Sequence, residues 1–434
     1  MQKNVRNKII IKKTNEKNSK NIEIMSPVGS FESLAAAIKA GADSVYFGVG
    51  KLNMRSRSAI NFTLSDLKKI SKICRKSKIR SYLALNTIVY DDELDEIKKI
   101  CDSAKKEKIS AVIATDISVI GYAKKIGLEV HISTQANVSN IEAVRYYSRY
   151  ADVIVLAREL AIDQIKNISK QIEKQNIRGP NKKLVKLELF VHGALCVSIA
   201  GKCYMSLAQY NHSANRGDCL QVCRRGYKVT DLETGDELEI DNKYVMSPKD
   251  LCTIGFLDKI IDAGISVLKI EGRGRAPDYV YTATKCYKEA VESIKDKTYT
   301  KEKIGKWIKE LEKVFNRGFW HSGYYLGKKL GEWSGAYGSK AAKEKVYLGK
   351  ALNYYSKPKI AHFIIESGGL SVGDEIIVIG PTTGIIKAKV KEMVVNDKKN
   401  DSAKKGDNIT VMIKERLRKN DRLYKVVDRK SFQG

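Results

Sequence analysis

Five cysteines fall between residues 196 and 252: Cys196, Cys203, Cys219, Cys223 and Cys252. Six residues separate the first two, and three separate Cys219 from Cys223. Cysteines grouped in this way ligate metals. Structural zinc usually takes pairs two to four residues apart, and the first spacing here is wide for that. An iron–sulfur cluster accepts thiolates from separate loops at more varied spacing. The cluster is therefore the first expectation, zinc the alternative, and free buried thiols the third reading. Gly193, Gly201 and Gly217 would let the backbone approach a cluster and offer N–H groups to its sulfurs. Cys74, Cys101 and Cys286 each lie in a helical pattern beside apolar neighbours and read as small core residues.

The elements that must position these thiols follow a regular rhythm. IEIMSPVG, from Ile22, reads as a strand, and FESLAAAIKAG as a helix stopped at Gly41. Strands continue with SVYFGVG, SYLALNTIV, AVIATD, VHISTQANV, VIVLARE, LVKLELFVHG and SVLKIEGRGR. Helical patterns separate them, apart from an insertion of some seventy residues between the last two strands that holds all five clustered cysteines. Alternating strands and helices make a parallel sheet. Eight such strands predict a TIM-like (β/α)8 barrel, an α/β fold, over residues 21–330, with the Cys-rich insertion at about 194–252. No glycine-rich dinucleotide loop follows the first strand, which disfavours a doubly wound sheet. Residues 331–341 read as a linker, and the overlapping stretch from 316 to 340, rich in glycine and aromatics, reads as its ordered approach. From residue 342 to 434 short alternating strands predict a small antiparallel β-barrel, a shape common among RNA-binding modules.

In a barrel of this kind the chemistry sits where strands end. Those ends carry Ser26, Asn86, Asp116, Gln135, Asn137, Arg158, His192, Glu271 and Arg273. The candidate catalytic set is Gln135, Asn137, Arg158, His192, Glu271 and Arg273. Arg158, Arg273 and Arg275 are forks for a dicarboxylic ligand; the bland alternative is rim salt bridges to Asp116, Glu159 or Glu271. Gln135 and Asn137 would orient a substrate by hydrogen bonds. His192 reads as pocket-lining.

Composition narrows the partners. The chain has 434 residues and a formal charge of +29, a surplus that attracts polyanions and first of all nucleic acid, although abundant lysine throughout also fits a compositional bias. Residues 1–20 carry seven Lys/Arg against one Glu and read as a basic disordered arm. No secretory signal stands out, and no run approaches the ~18 apolar residues of a membrane span. A cytoplasmic protein with reduced thiols is expected.

The motif E-x-F-x-x-G-A-L-C-x4-G-x-C-x-M-S, from Glu188 to Ser206, resembles the signature of peptidase family U-32, the collagenase-like proteases. SPVG at 26, GADSVYFG at 41, STQANV at 133, SPKDLC at 247 and LKIEGRGR at 268 resemble further blocks of that family, from about Asn21 to Leu330. The resemblance implies mixed chemistry. Some members are called proteases; others serve oxygen-independent hydroxylation of a tRNA uridine, a ribosomal RNA cytidine or the ubiquinone ring. The RNA-directed members imply prephenate as co-substrate, and the ubiquinone members imply a 4Fe-4S cluster. By motif position the cluster ligands would be Cys196, Cys203, Cys219 and Cys252, with Cys223 the alternative fourth.

Three functions follow as expectations. The first is an iron–sulfur-dependent enzyme that hydroxylates tRNA, with rRNA as the other RNA partner and an electron donor of unspecified kind. The second is a collagenase-like peptidase, for which no H-E-x-x-H motif occurs. GLSVG at Gly369 imitates a nucleophile elbow, but it reads as a turn before a strand. The third is a non-catalytic partner subunit of a hydroxylase complex.

Overall fold

Both faces of each central strand are covered, which is why these strands are short and apolar almost throughout. All five residues of Ser44–Gly48 are buried, as parallel strands under helices require. The computed structural model describes residues 22–57, 61–199, 201–235, 237–238, 244, 246–327, 332–336 and 338–429. The basic arm expected over residues 1–20 lies outside them.

The first seven barrel strands are β1 (Glu23–Pro27), β2 (Ser44–Gly48), β3 (Arg80–Leu85), β4 (Ala111–Ala114), β5 (Val130–Ile132), β6 (Val153–Val155) and β7 (Lys186–Gly193). A short strand, β8 (Asp250–Cys252), precedes β9 (Ile265–Ile270). Neighbours from β1 to β7 pair in parallel, and β9 pairs in parallel with both β7 and β1, which closes an eight-stranded barrel. The expected TIM-like fold is therefore the observed one. Helices alternate with the strands, and four of the described helices start at side-chain caps: Ser30, Asp116, Asn140 and Thr300 each accept an N–H from the first turn that follows.

β8 is not a barrel strand. It pairs antiparallel to the end of β7, Cys252 opposite His192, and then in parallel with Phe319–Trp320. The glycine- and aromatic-rich stretch that begins at 316 is thus partly built into the sheet. Residues 332–336 are pinned as well: Pro248 bridges to Trp333, and Ser334 N donates to Ser247 O at 2.7 Å.

From Lys343 to Asp428 an antiparallel eight-stranded sheet wraps a separate core that includes Leu348, Phe363, Ile376, Ile409 and Leu423. It docks on the barrel through a second apolar cluster. Ile377, Ile379 and Ile385 of the sheet meet Ala36 of α1 (Phe31–Lys39), with Tyr281 of the barrel beside them. Gly384 sits at φ +66°, where a Cβ would come within 2.9 Å of the α1 backbone.

Candidate functional site

The barrel mouth holds a cavity of about 150 Å³, roofed by the first part of the insertion. Four thiols line it: Cys196, Cys203, Cys219 and Cys223. All four are half-buried. They arrive on separate turns: Cys196 just after β7, Cys203 ahead of a short helix (Met205–Tyr210), Cys219 after the turn at Gly217, and Cys223 in a 3-10 turn. The other three are near enough to Cys223 to act on its charge, and burial pushes that thiol up to about 11. Gln221 N donates to Cys219 Sγ at 3.4 Å. Among the described residues no three of His, Cys, Asp or Glu converge as a single metal ion would require. Four thiols around one cavity, with a backbone N–H already on sulfur, are a donor set that a polynuclear cluster can take.

Cys252 does not join them. It is buried in β8, on the far side of His192, and burial holds its thiol up at about 12. Of the ligands expected by motif position, Cys196, Cys203 and Cys219 share the cavity and Cys252 lies outside it; Cys223, the alternative fourth, lines it with them. The physical reason is the antiparallel pairing of β8, which carries Cys252 into the packing between barrel and helix. Of the three glycines expected near a cluster, only Gly201 lines the cavity. At Gly193 (φ +103°) a Cβ would lie 2.6 Å from Glu271 O, and at Gly217 (φ +80°) 2.1 Å from Asn53 O. Those two serve close backbone packing beneath the site.

The rest of the wall is largely apolar, and its charged groups are mostly cationic. Arg55, Arg158, Arg224, Arg273 and Lys269 line the cavity, against one carboxylate, Glu271. Arg55 grips Glu271 through Nε at 3.2 Å and Nη2 at 2.8 Å. Burial would raise the Glu271 carboxyl; the charges of Arg55, Arg275 and Arg158 outweigh it and bring the group down to about 2. Arg273 donates to Asn53 Oδ1 at 2.9 Å, and burial lowers it to about 10. Arg224 is committed to structure, donating to the carbonyls of Leu195 and Pro248 and to Ser247. Arg158 is freer: its guanidinium lies 4.1 Å above the Phe190 ring, Nη1 reaches Ala194 O only at 3.4 Å, and its buried Nε has no partner. Gln135 Oε1 accepts from Asn86 Nδ2 at 3.2 Å and from Ser133 Oγ, so Gln135 is oriented toward the cavity it lines.

The structure thus brings together Gln135, Arg158, Glu271 and Arg273 with four thiols. It places two expected residues elsewhere. Asn137 is left-handed (φ +51°) after a 3-10 turn; its amide donates to Thr134 O at 3.2 Å and accepts from Lys202 Nζ at 3.1 Å, tying the insertion down instead of lining the cavity. His192 is corrected too. A register shift between β7 and β9 breaks the alternation of side chains at this point. His192 therefore turns away from the pocket and packs among Tyr279, Tyr287 and Phe319, where burial lowers it to about 3. No histidine lines the cavity among the described residues. Arg275, read as a carboxylate fork, stacks on Phe315 at 3.5 Å and faces a different cleft. Three charged wall residues escaped sequence reasoning, Arg224 of the insertion among them. Arg55 lies in an irregular loop after β2, and Lys269 was hidden in a strand read as core, although a lysine within SVLKI was itself the signal.

The insertion also presents aromatic rings at the surface. Tyr204 is 77% exposed and Tyr210 44%, with Tyr90 at 55% beside the insertion. Arg216 covers the Tyr90 ring at 4.0 Å, and Arg225 covers Tyr210 at 5.0 Å.

Comparison with known proteins gives a consistent family. Residues 29–335 match the profile of "Peptidase family U32". The chain is 54% identical over 408 residues to a protein of Porphyromonas gingivalis named "Collagenase", covering 94% of this chain and 98% of that protein. It is 28% identical to "tRNA hydroxylation protein P1" of Bacillus subtilis, covering 84% of each. It is 30% identical to the "23S rRNA 5-hydroxycytidine C2501 synthase" of Escherichia coli, covering 72% of this chain and 46% of that protein.

Proposed function

The chain belongs to peptidase family U32, and from that premise we propose that it is an iron–sulfur-dependent RNA-modifying enzyme. The reaction is oxygen-independent hydroxylation of a tRNA uridine, with prephenate as the oxygen source and a separate electron donor. The observation that carries this reading is the set of four thiols around one cationic cavity, with no histidine in its wall among the described residues. Cys196, Cys203, Cys219 and Cys223 would hold a 4Fe-4S cluster, which supplies one-electron chemistry when bound.

The chain's own residues would do the binding and orienting. Arg158, whose buried Nε lacks a partner, and Arg273 would take the carboxylates of the small co-substrate as charge-assisted hydrogen bonds. Gln135, held by Asn86 and Ser133, would fix its hydroxyl or carbonyl. The exposed rings of Tyr204 and Tyr210, with Arg225 beside them, suit unpaired bases of an RNA loop, since every base has a face that stacks. The net charge of +29 supplies the attraction for the phosphates. Relatives named for tRNA and rRNA hydroxylation support the same class of substrate.

A collagenase-like peptidase is the second reading, and the 54% identical relative named "Collagenase" favours it. Its difficulty is chemical. A thiol peptidase needs a base beside the nucleophile, and His192, the histidine nearest in sequence to Cys196, is buried among aromatic rings. The deciding experiment is mass spectrometry of nucleosides from a strain lacking this chain, with and without its restoration. Loss and return of 5-hydroxyuridine in tRNA supports hydroxylation. An unchanged nucleoside profile together with cleavage of collagen by the purified chain overturns it.

A further inference from the structure

Most of the barrel interior is apolar: Met25, Ala111, Ile113, Val153 and Val267 form a buried cluster with Tyr46 and Tyr82. Through this interior runs a file of charged groups of alternating sign. Lys269, on β9, has a side chain only 4% exposed and lines the floor of the cavity. Its Nζ donates to Glu188 Oε1 of β7 at 2.7 Å. Glu188 Oε2 lies 3.8 Å from His131 Nδ1 of β5, and both atoms are buried without a hydrogen-bond partner. His131 Nε2 is 3.2 Å from Glu129, which also takes Arg80 at 2.7 Å. Glu129 and Arg80 lie at the opposite end of the barrel, where their side chains are 22% and 38% exposed.

Such a file is an expensive way to fill a core. Buried ion pairs are often no more stabilising than apolar residues of the same volume, and the neighbouring interior positions are apolar. Two facing buried atoms left unsatisfied call for a reason; groups that exchange a proton between alternate partners supply one. We propose that Lys269 is the proton-transferring residue of the pocket, supplied from the far end of the barrel through the positioning residues Glu188, His131 and Glu129. The proposal rests on the reading of this cavity as an active site.

In the transfer, an N–H bond of the Lys269 ammonium breaks with its electron pair left on nitrogen. The proton goes to the substrate atom on which negative charge builds. Rotation of the His131 ring closes the gap to Glu188: the Nδ1–H bond breaks, its proton forms an O–H bond on Oε2, and the carboxyl so formed turns and gives that proton to the Lys269 amine. The ring then turns its bare Nδ1 to the Glu129 side, where a proton from solvent recharges it. The net change is one proton moved from solvent to substrate, with no electrons transferred. The electrostatics suit a group that must both hold and release a proton. Burial lowers Lys269, and the charges of Arg273 and Arg158 act the same way, while Glu188 opposes them; Tyr46 lends its ring at 4.6 Å. For His131 burial is the largest influence and acts downward, but Glu129 and Glu188 together outweigh it and raise the imidazole above its ordinary value. Tyr82 packs against its ring at 4.5 Å.

The test has two arms, both on the full chain. In the first, lysines are acetylated competitively with acetic anhydride over a pH series, and the peptide bearing Lys269 is followed by mass spectrometry. Lys269 is expected to react at lower pH than the surface lysines, and lower still in Glu188→Gln, which removes the anion that favours its charged form. In the second, Lys269→Arg keeps the charge but holds its proton. It is expected to melt like the wild type yet restore RNA hydroxylation at least about 100-fold less well in a strain lacking this chain. Labelling of Lys269 that follows the surface lysines and ignores Glu188→Gln, or full restoration by Lys269→Arg, overturns the proposal. Absence of hydroxylated nucleoside with the wild-type chain would sink the functional reading alone, and the labelling arm would still decide the role of Lys269.

Discussion

At the scale of residues, Glu271 shows how the site holds its charges. Among the described residues of the wall it is the single carboxylate beside five cations, and its side-chain hydrogen bonds go to Arg55 while Arg275 and Arg158 add their charge. A carboxyl brought down to about 2 in the folded chain contributes stability that is present above the ordinary carboxylate range and is lost as pH falls through the window from about 4.5 to about 2. Glu271→Gln leaves Arg55 beside Arg273 without a counter-ion, and the expected cost at neutral pH is about 3 kcal/mol. Denaturant unfolding at a series of pH values checks both points. The wild type should lose its advantage over the variant across that acidic window, and a constant difference would show that the pair carries none of it.

At the scale of elements, the turn at Gly217 connects the insertion to the loop after β2. Ser56 Oγ donates to Gly217 O at 3.0 Å, and Asn53, against which Gly217 packs, receives Arg273. Gly217→Ala adds a Cβ to a left-handed residue 2.1 Å from Asn53 O. A loss of at least about 2 kcal/mol is expected, together with displacement of Arg55 and Arg273. A melting curve and the iron content of the purified variant measure the two effects; wild-type values for both would mean that the insertion and this loop are uncoupled. The same elements explain what could be read beforehand. The eight barrel strands announced themselves because each is a short apolar run between helical patterns, and Gln135, Arg158, Glu271 and Arg273 stood at their ends. Cys252 misled because nothing in DLC reveals an antiparallel partner, and His192 because a register shift is invisible in a run of apolar residues. Arg55 was unreadable for a different reason: an irregular loop has no period from which to infer a direction.

At the scale of the whole molecule, the surplus of 79 Lys and Arg over 50 Asp and Glu makes salt dependence a quantitative expectation. RNA affinity should fall linearly on a log–log plot against salt. Arg225→Gln should reduce that slope by about one, whereas Tyr204→Ala should weaken binding at every salt concentration with the slope unchanged. Equal slopes in all three proteins would take Arg225 out of the contact. The sheet docked on α1 through Ile377, Ile379 and Ile385 keeps its own core, so the barrel and its thiols can be tested without disturbing it.

The central claim concerns those thiols. Iron and acid-labile sulfide should be measured in the chain purified without oxygen, in the wild type and in Cys223→Ser and Cys252→Ser. The account predicts about four of each per wild-type chain, near-complete loss in Cys223→Ser, and retention in Cys252→Ser. Zinc in place of iron, or retention in Cys223→Ser with loss in Cys252→Ser, would contradict it.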